Sequence, residues 1–186
     1  MNLENVYKNR FGLVSGVQSL GWGSFESQQI RFKILLDING YKCGDSVLDV
    51  GCGLGDLSQW IGNYTGIDLR PSIIIQGKKL YPDARLFCCG TKSIHSTFDW
   101  VFASGIFCFR KGWEKRVRVE IREMLRIASK GVAINFLSNR SRRKKRVGMK
   151  YADVGEVVSL LGGDFHRFVV RHDYLENDFT VYIFKY

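Results

Sequence analysis

Ser46-Val47-Leu48-Asp49-Val50-Gly51-Cys52-Gly53-Leu54-Gly55-Asp56-Leu57, followed by Tyr64-Thr65-Gly66-Ile67-Asp68-Leu69, is the stretch that decides the fold. Val47 to Val50 is a short apolar run, the signature of a strand buried on both faces. Three glycines then punctuate the chain. They permit left-handed backbone and let a ligand approach the main chain closely. Asp56 to Trp60 can open a helix whose free N–H groups point toward the loop. Tyr64 to Leu69 supplies a second strand, with Asp68 at its carboxyl end. In an open α/β sheet, ligands bind beside the carboxyl ends of strands where the strand order reverses.

The spacing discriminates between ligands. A dinucleotide fingerprint wants G-x-G-x-x-G. Here Gly51-Cys52-Gly53-Leu54-Gly55 brings the third glycine one position early, and Asp56 fills the expected slot. Asp49 would repel a nearby pyrophosphate, whereas a cation tolerates it. Together, Val47-Leu48-Asp49-Val50-Gly51-Cys52-Gly53-Leu54-Gly55 and Gly66-Ile67-Asp68-Leu69 closely resemble the first two motifs of class I S-adenosyl-L-methionine-dependent methyltransferases. The small single-domain bacterial members are the most similar in size. The resemblance implies an α/β three-layer sandwich: a mostly parallel seven-stranded sheet of order 3-2-1-4-5-7-6, last strand antiparallel, with helices on both faces. It also implies S-adenosyl-L-methionine as cofactor and S-adenosyl-L-homocysteine as product. By the same resemblance Gly51, Cys52 and Gly53 pack on the amino-acid end of the cofactor, with Asp49 and Asp56 beside them. Asp68 accepts hydrogen bonds from both ribose hydroxyls, and Leu69 flanks the adenine.

With 186 residues, 45% of them hydrophobic, the chain is expected to form one domain with a real core. Residues 1–40 read as a helical leader or lid and residues 41–186 as the Rossmann-like core. Met1 to Arg10 lacks the apolar stretch of a secretory signal, and no run approaches the roughly eighteen apolar residues of a membrane span. Five cysteines without a C-x-x-C pair argue against metal or a disulfide framework, so a cytoplasmic protein with no metal is expected. Cys88-Cys89 reads as strand filler. The net charge of +10 suggests an anionic partner.

In chain order, Asn2 to Arg10 reads as a short helix and Phe11 to Gly23 as a loop. Ser24 to Asn39 is a helix capped by Ser24. The segment Gly21-Trp22-Gly23-Ser24 with Ser27-Gln28 and Arg31-Phe32 resembles a leader of small methyltransferases that folds over the cofactor. Gln28 and Arg31 lie one turn apart. They either share a face toward the cofactor carboxylate or belong to a solvated face. A helix from Arg70-Pro71-Ser72 to Leu80 and a strand over Ala84 to Cys89 follow. Many relatives carry an acidic residue after this strand for the adenine amino group, whereas Gly90-Thr91-Lys92 offers none.

Phe98 to Phe107 is a fourth strand and its exit loop, with Asp99 at its structural end and Ser104 and Gly105 at the useful end, beside the sulfonium by resemblance. Ala103-Ser104-Gly105-Ile106 lacks the Asn/Asp-Pro-Pro-Tyr motif of enzymes that methylate adenine in DNA or glutamine in protein. Phe107, Cys108 and Phe109 either line an acceptor pocket or plug the core edge. Glu114 to Ser129 is an amphipathic helix whose charges read as a solvated face. Gly131 to Leu137 is the fifth strand. Ala152 to Leu161 is a helix stopped by Gly162-Gly163, and Phe165 to Val170 and Phe179 to Phe184 pair around a turn at Glu176-Asn177-Asp178. No catalytic base stands out: His95, His166 and His172 read as surface or packing residues, with Tyr7 and Trp22 as alternative pocket residues.

Methyl transfer asks the protein mainly for alignment and water exclusion, so the absence of a triad is expected. With no added domain, the leading acceptor is a small molecule methylated on O or N. An RNA methyltransferase is the alternative. It would use Arg140 to Arg146, six cations in seven residues, as a phosphate-binding arm; the plain counterpart is a solvated loop. A non-catalytic cofactor-binding subunit is a third reading.

Overall fold

The computed structural model describes residues 25–162 and 165–185. The expected helix Asn2 to Arg10, the loop to Gly23, the Ser24 cap, Tyr7, Trp22 and Gly163 lie outside the described residues. Seven strands form one sheet: β1 (Val47–Val50), β2 (Tyr64–Asp68), β3 (Arg85–Cys88), β4 (Phe98–Ala103), β5 (Ala128–Leu137), β6 (Phe168–Leu175) and β7 (Asp178–Phe184). Their order is β3-β2-β1-β4-β5-β7-β6. Strands β1 to β5 run parallel, and β7 runs antiparallel to both β5 and β6.

Side-chain alternation assigns the two faces. Leu48, Val50, Val101, Ala103, Val132, Ile134, Val181 and Ile183 turn toward α3 (Trp113–Ile127) and α4 (Val154–Leu161). Val47, Tyr64, Trp100, Phe102, Ala133 and Tyr182 turn toward α1 (Phe25–Leu36) and Ile74 of α2 (Pro71–Leu80). A side chain the size of Phe102, fully buried here, contributes roughly 1.5–3 kcal/mol on leaving water. Gly77 of α2 is set by packing: a Cβ there would lie 2.5 Å from the Leu54 carbonyl oxygen, which is main chain and cannot yield.

Three expectations are corrected. Residues Asp56–Trp60 form a five-residue 3₁₀ turn, too short to present the N-terminus of a full helix. Helix α3 ends at Ile127 and β5 begins at Ala128, earlier than expected, because Ala128 pairs with Phe98 ahead of a bulge in β4. Strand β6 runs later, Phe168–Leu175. It is an edge strand with no fully buried residue, so hydrophobic alternation does not mark its limits. Cys88 closes edge strand β3, where it is exposed. Asp99 is structural as expected: it accepts from the Ser46 amide and hydroxyl, at 2.9 and 2.8 Å.

Candidate functional site

A cavity of about 680 Å³ opens along the carboxyl ends of the five parallel strands. Gly51 and Gly53 take left-handed φ values of 71° and 58°. The Gly51 and Cys52 amides both donate to the Ile67 carbonyl, at 2.8 and 3.0 Å, which ties the loop to β2. A Cβ on Gly51 would stand 2.3 Å from an Ile106 methyl, so the packing of Ile106 requires glycine there, and Gly51 and Gly53 line the cavity.

The carboxylates here are buried and held by partners distant in sequence. Asp49 accepts from the Tyr64 hydroxyl at 2.8 Å. Burial pushes its carboxyl up to about 7, against the Tyr64 hydrogen bond and assisted by the Asp68 charge. Asp56 accepts from Gln28 Nε2 and the Tyr81 hydroxyl, each at 2.9 Å. Burial raises its carboxyl to about 6. Burial also raises the Cys52 thiol, which keeps it protonated and unreactive. Asp68 accepts from the Gly53 amide at 3.2 Å and from Arg70 through its amide, Nε and Nη2, at 2.9, 3.1 and 3.2 Å.

Gln28 and Arg31 are only 1% and 5% exposed, which overturns the solvated-face alternative. Arg31 Nη2 donates to Asp178 at the start of β7, fastening α1 to the β6–β7 hairpin. Burial raises the Asp178 carboxyl, and Arg31 opposes that rise. Leu69 is 75% exposed on the cavity rim, beside Gly90. Ser104 lines the cavity with its hydroxyl buried and without a hydrogen-bond partner among the described residues. Next to it, the Gly105 amide donates to Asn135 Oδ1 at 2.8 Å. All ten residues expected at the site (Gln28, Arg31, Asp49, Gly51, Cys52, Gly53, Asp56, Asp68, Leu69 and Ser104) line this one cavity.

The loop leaving β4 divides the roles left open for it. Phe107 does both: it is buried, stacked on Phe136 at 5.4 Å, and it lines the cavity together with Cys108 and Phe109. None of the three histidines does; His172 packs on the Phe179 ring. The basic run is not a free loop throughout. Met149 bridges Phe109, the Arg110 amide donates to Gly148 at 3.0 Å, and the Lys150 amide donates to Cys108 at 2.9 Å. Lys150 sits 4.5 Å over the Trp113 ring and pairs with Glu156 at 2.5 Å. Residues 138–151 thus form a flap zipped to the β4–α3 loop, bringing Arg146 and Met149 to the cavity.

Sequence reasoning missed Arg70, Arg116, Glu120, Met149 and Asp178, all of which line the cavity. Asp178 was hidden in a polar turn. Arg116 and Glu120 carried one usable signal: they lie in the first two turns of the helix that leaves the β4 loop, near the carboxyl end of the sheet. Neither belongs to a fully solvated face.

Residues 48–135 match the family of methyltransferase domains. The fold is that of the class I, Rossmann-like methyltransferases. The chain resembles the magnesium protoporphyrin IX methyltransferase of Synechocystis PCC 6803, crystallised with S-adenosylmethionine. Identity is 14% and the TM-score 0.65, over 99% of this chain and 96% of that one. A Pyrococcus horikoshii OT3 protein superposes with a TM-score of 0.69 at 14% identity, over 96% and 98% of the two chains. An S-adenosylmethionine-dependent methyltransferase of Aquifex aeolicus gives 0.61 at 20%, over 87% and 99%. At such identities the likeness speaks for the fold. A comparison with curated protein sequences gives no significant match. Among the described residues, no helix is long and apolar enough to cross a membrane, and no group of three or more His, Cys, Asp or Glu side chains is placed to hold a metal.

Proposed function

We propose that this methyltransferase moves the methyl group of S-adenosyl-L-methionine onto an oxygen or nitrogen of a small-molecule acceptor. The observation that carries the proposal is the single cavity joining the glycine loop and Asp68 to Ser104 and the flap. Its residues fit that cofactor. Gln28 Oε1 and Ser104 Oγ are buried polar atoms without partners among the described residues, and such atoms cost free energy until a ligand satisfies them. The glycine loop lines the cavity at Gly51 and Gly53, and the buried carboxylates favour a cationic ligand.

Within this reading, Gly51, Cys52 and Gly53 cradle the amino-acid end, and Asp49 supplies negative charge beneath it. Gln28, Arg31 and Asp56 orient that end from α1 and the loop. Asp68 takes the ribose hydroxyls once Arg70 swings away, Leu69 covers the adenine, and the main chain near Thr91 reads the base edge in place of a carboxylate. When bound, the cofactor supplies a methyl carbon on a sulfonium, together with the leaving group. The protein contributes alignment and exclusion of water, with Ser104 and Asn135 at the junction of the two halves. Residues 1–40 serve as the lid and residues 41–186 as the core. The five free thiols fit a cytoplasmic location.

Calorimetric titration with S-adenosylmethionine and its homocysteine product tests the assignment. Asp68→Ala is expected to weaken both by about 1–3 kcal/mol, the cost of unpaired polar groups. Unchanged affinity would remove the ribose role. A metabolite screen with labelled cofactor then tests the acceptor class: product formed only on RNA would replace the small-molecule acceptor with a polynucleotide held by Arg140 to Arg146. Cofactor binding without turnover, together with copurification of a catalytic chain, would favour a partner subunit.

A further inference from the structure

Four arginines line the cavity: Arg31, Arg70, Arg116 and Arg146. Two are committed to carboxylates, Arg31 to Asp178 and Arg70 to Asp68. The other two lie on the flap and on the helix beside it: Arg116 bonds Phe109, whose bridge partner Met149 belongs to the flap that carries Arg146. Arg116, in the first turn of α3, donates from Nη2 to the Phe109 carbonyl at 2.5 Å, which leaves its charge uncompensated. Its Nε is buried without a hydrogen-bond partner among the described residues. Arg146 uses its main-chain amide on the Tyr151 hydroxyl at 3.1 Å, and its guanidinium forms no ion pair among the described residues. Glu120, one turn beyond Arg116, is the acidic residue nearest in sequence on this wall, and it too makes no ion pair among the described residues. Phe109, Met149, Phe136 and Leu137 give the wall its apolar part.

An orphaned buried guanidinium N–H gains most from a charged oxygen, since hydrogen bonds to ions are roughly twice as strong as neutral ones. Two guanidiniums against one carboxylate leave the wall net positive, so it selects against cations and favours an anion. We propose that the methyl acceptor is a small anion. Arg116 and Arg146 hold its carboxylate or phosphate, Glu120 accepts a hydrogen bond from its N–H or O–H group, and Phe109 and Met149 cover its apolar body. The flap is therefore an acceptor-recognition element, and Arg146, exposed like Arg142 and Arg143 but lining the cavity, differs in role from them. This inference rests on the cofactor reading above.

The test uses protein saturated with S-adenosyl-L-homocysteine, titrated with benzoate, phenyl phosphate and neutral benzamide. The two anions are expected to bind at least about tenfold more tightly than benzamide. Arg146→Gln should lower anion affinity about tenfold while changing homocysteine-product affinity less than about twofold. Arg116→Gln should act alike, but it also frees Phe109, so Arg146→Gln is the deciding variant. Glu120→Gln should tighten benzoate, which has no donor for it, by removing a like charge. Equal binding of benzamide and benzoate, no binding of any probe, or no effect of Arg146→Gln would overturn the proposal. Weaker benzoate binding in Glu120→Gln would overturn the placing of that carboxylate, and RNA binding lost with Arg142 and Arg143 but retained in Arg146→Gln would reassign the flap. Failure of the homocysteine product to bind the wild-type chain would instead remove the cofactor reading.

Discussion

The two sides of the cavity are held by different physics. On the glycine-loop side, charge is buried and paired across long sequence separations: Arg31 with Asp178, Gln28 with Asp56, Tyr64 with Asp49. On the flap side, the charges are partly exposed and the loops are joined mainly by backbone hydrogen bonds and the Lys150 contacts. A buried pair is costly to break, because the remaining ion has no water; an exposed pair is nearly neutral to break. The first side is thus built to stay shaped, and the second to open at low cost and admit a substrate.

The sharpest way to break this contrast is Arg31→Met. It strands the Asp178 carboxylate, which is 3% exposed, and should cost about 3–5 kcal/mol in chemical unfolding. The double change Arg31→Met with Asp178→Leu should recover most of that loss, since no ion is then left buried. A loss below about 1 kcal/mol for the single change would place this pair with the surface bridges.

A second, intermediate effect comes from Asp49. Its carboxyl is raised from 3.8 to about 7, so between those values the folded chain keeps a proton that the unfolded chain gives up. Stability of the unliganded protein should therefore fall as pH rises from about 4 to 7. A cationic ligand reverses the preference and favours the carboxylate. Binding of S-adenosylmethionine below pH 7 should then release a proton and tighten as pH rises to that point. Calorimetry in two buffers of different ionisation enthalpy reads the release directly. Asp49→Asn should remove it except for the share from Asp56, which is raised to about 6. Proton uptake on binding would contradict the placing of the cofactor's positive charge near Asp49, Asp68 and Cys52.

The same contrast explains what the sequence made legible. Val47–Val50, the three glycines and Asp68 are local: each has its spacing written within about twenty residues, and the sheet follows from strand alternation. The order of all seven strands and the helices on both faces came instead from the family resemblance that these local motifs carry, and the sheet has that order. Pairings such as Arg31 with Asp178 join residues 147 apart, and no local pattern announces them. Gln28 and Arg31 looked as much like a wet surface as a lid, because helical spacing fixes a common face without saying what covers it. The flap was harder still. Arg140 to Arg146 reads as a charge run, and only the fold, through the bridge between Phe109 and Met149, brings Arg146 to the cavity. Arg116 was lost for a related reason: on an amphipathic helix, polar positions at the sheet's carboxyl end look like any others.

The smallest effect expected is at the flap's outer latch. Lys150 covers Trp113 and pairs with Glu156, yet the two side chains remain 22% and 32% exposed. Solvent screening reduces the ion pair to about 0–1 kcal/mol, and the ring contact adds about 0.5–1. Lys150→Met should therefore lower global stability by about 0.5–2 kcal/mol, less than Arg31→Met. It should act locally instead. The amides of Arg110 and Lys150, which zip the two loops, should lose protection from hydrogen exchange by roughly three- to tenfold, a change of that size in local opening free energy. Amides of β1 and β4 should keep theirs. Equal loss of protection in flap and sheet would mean that the flap opens only when the whole domain unfolds, and the difference between the two sides of the cavity would then be one of composition alone.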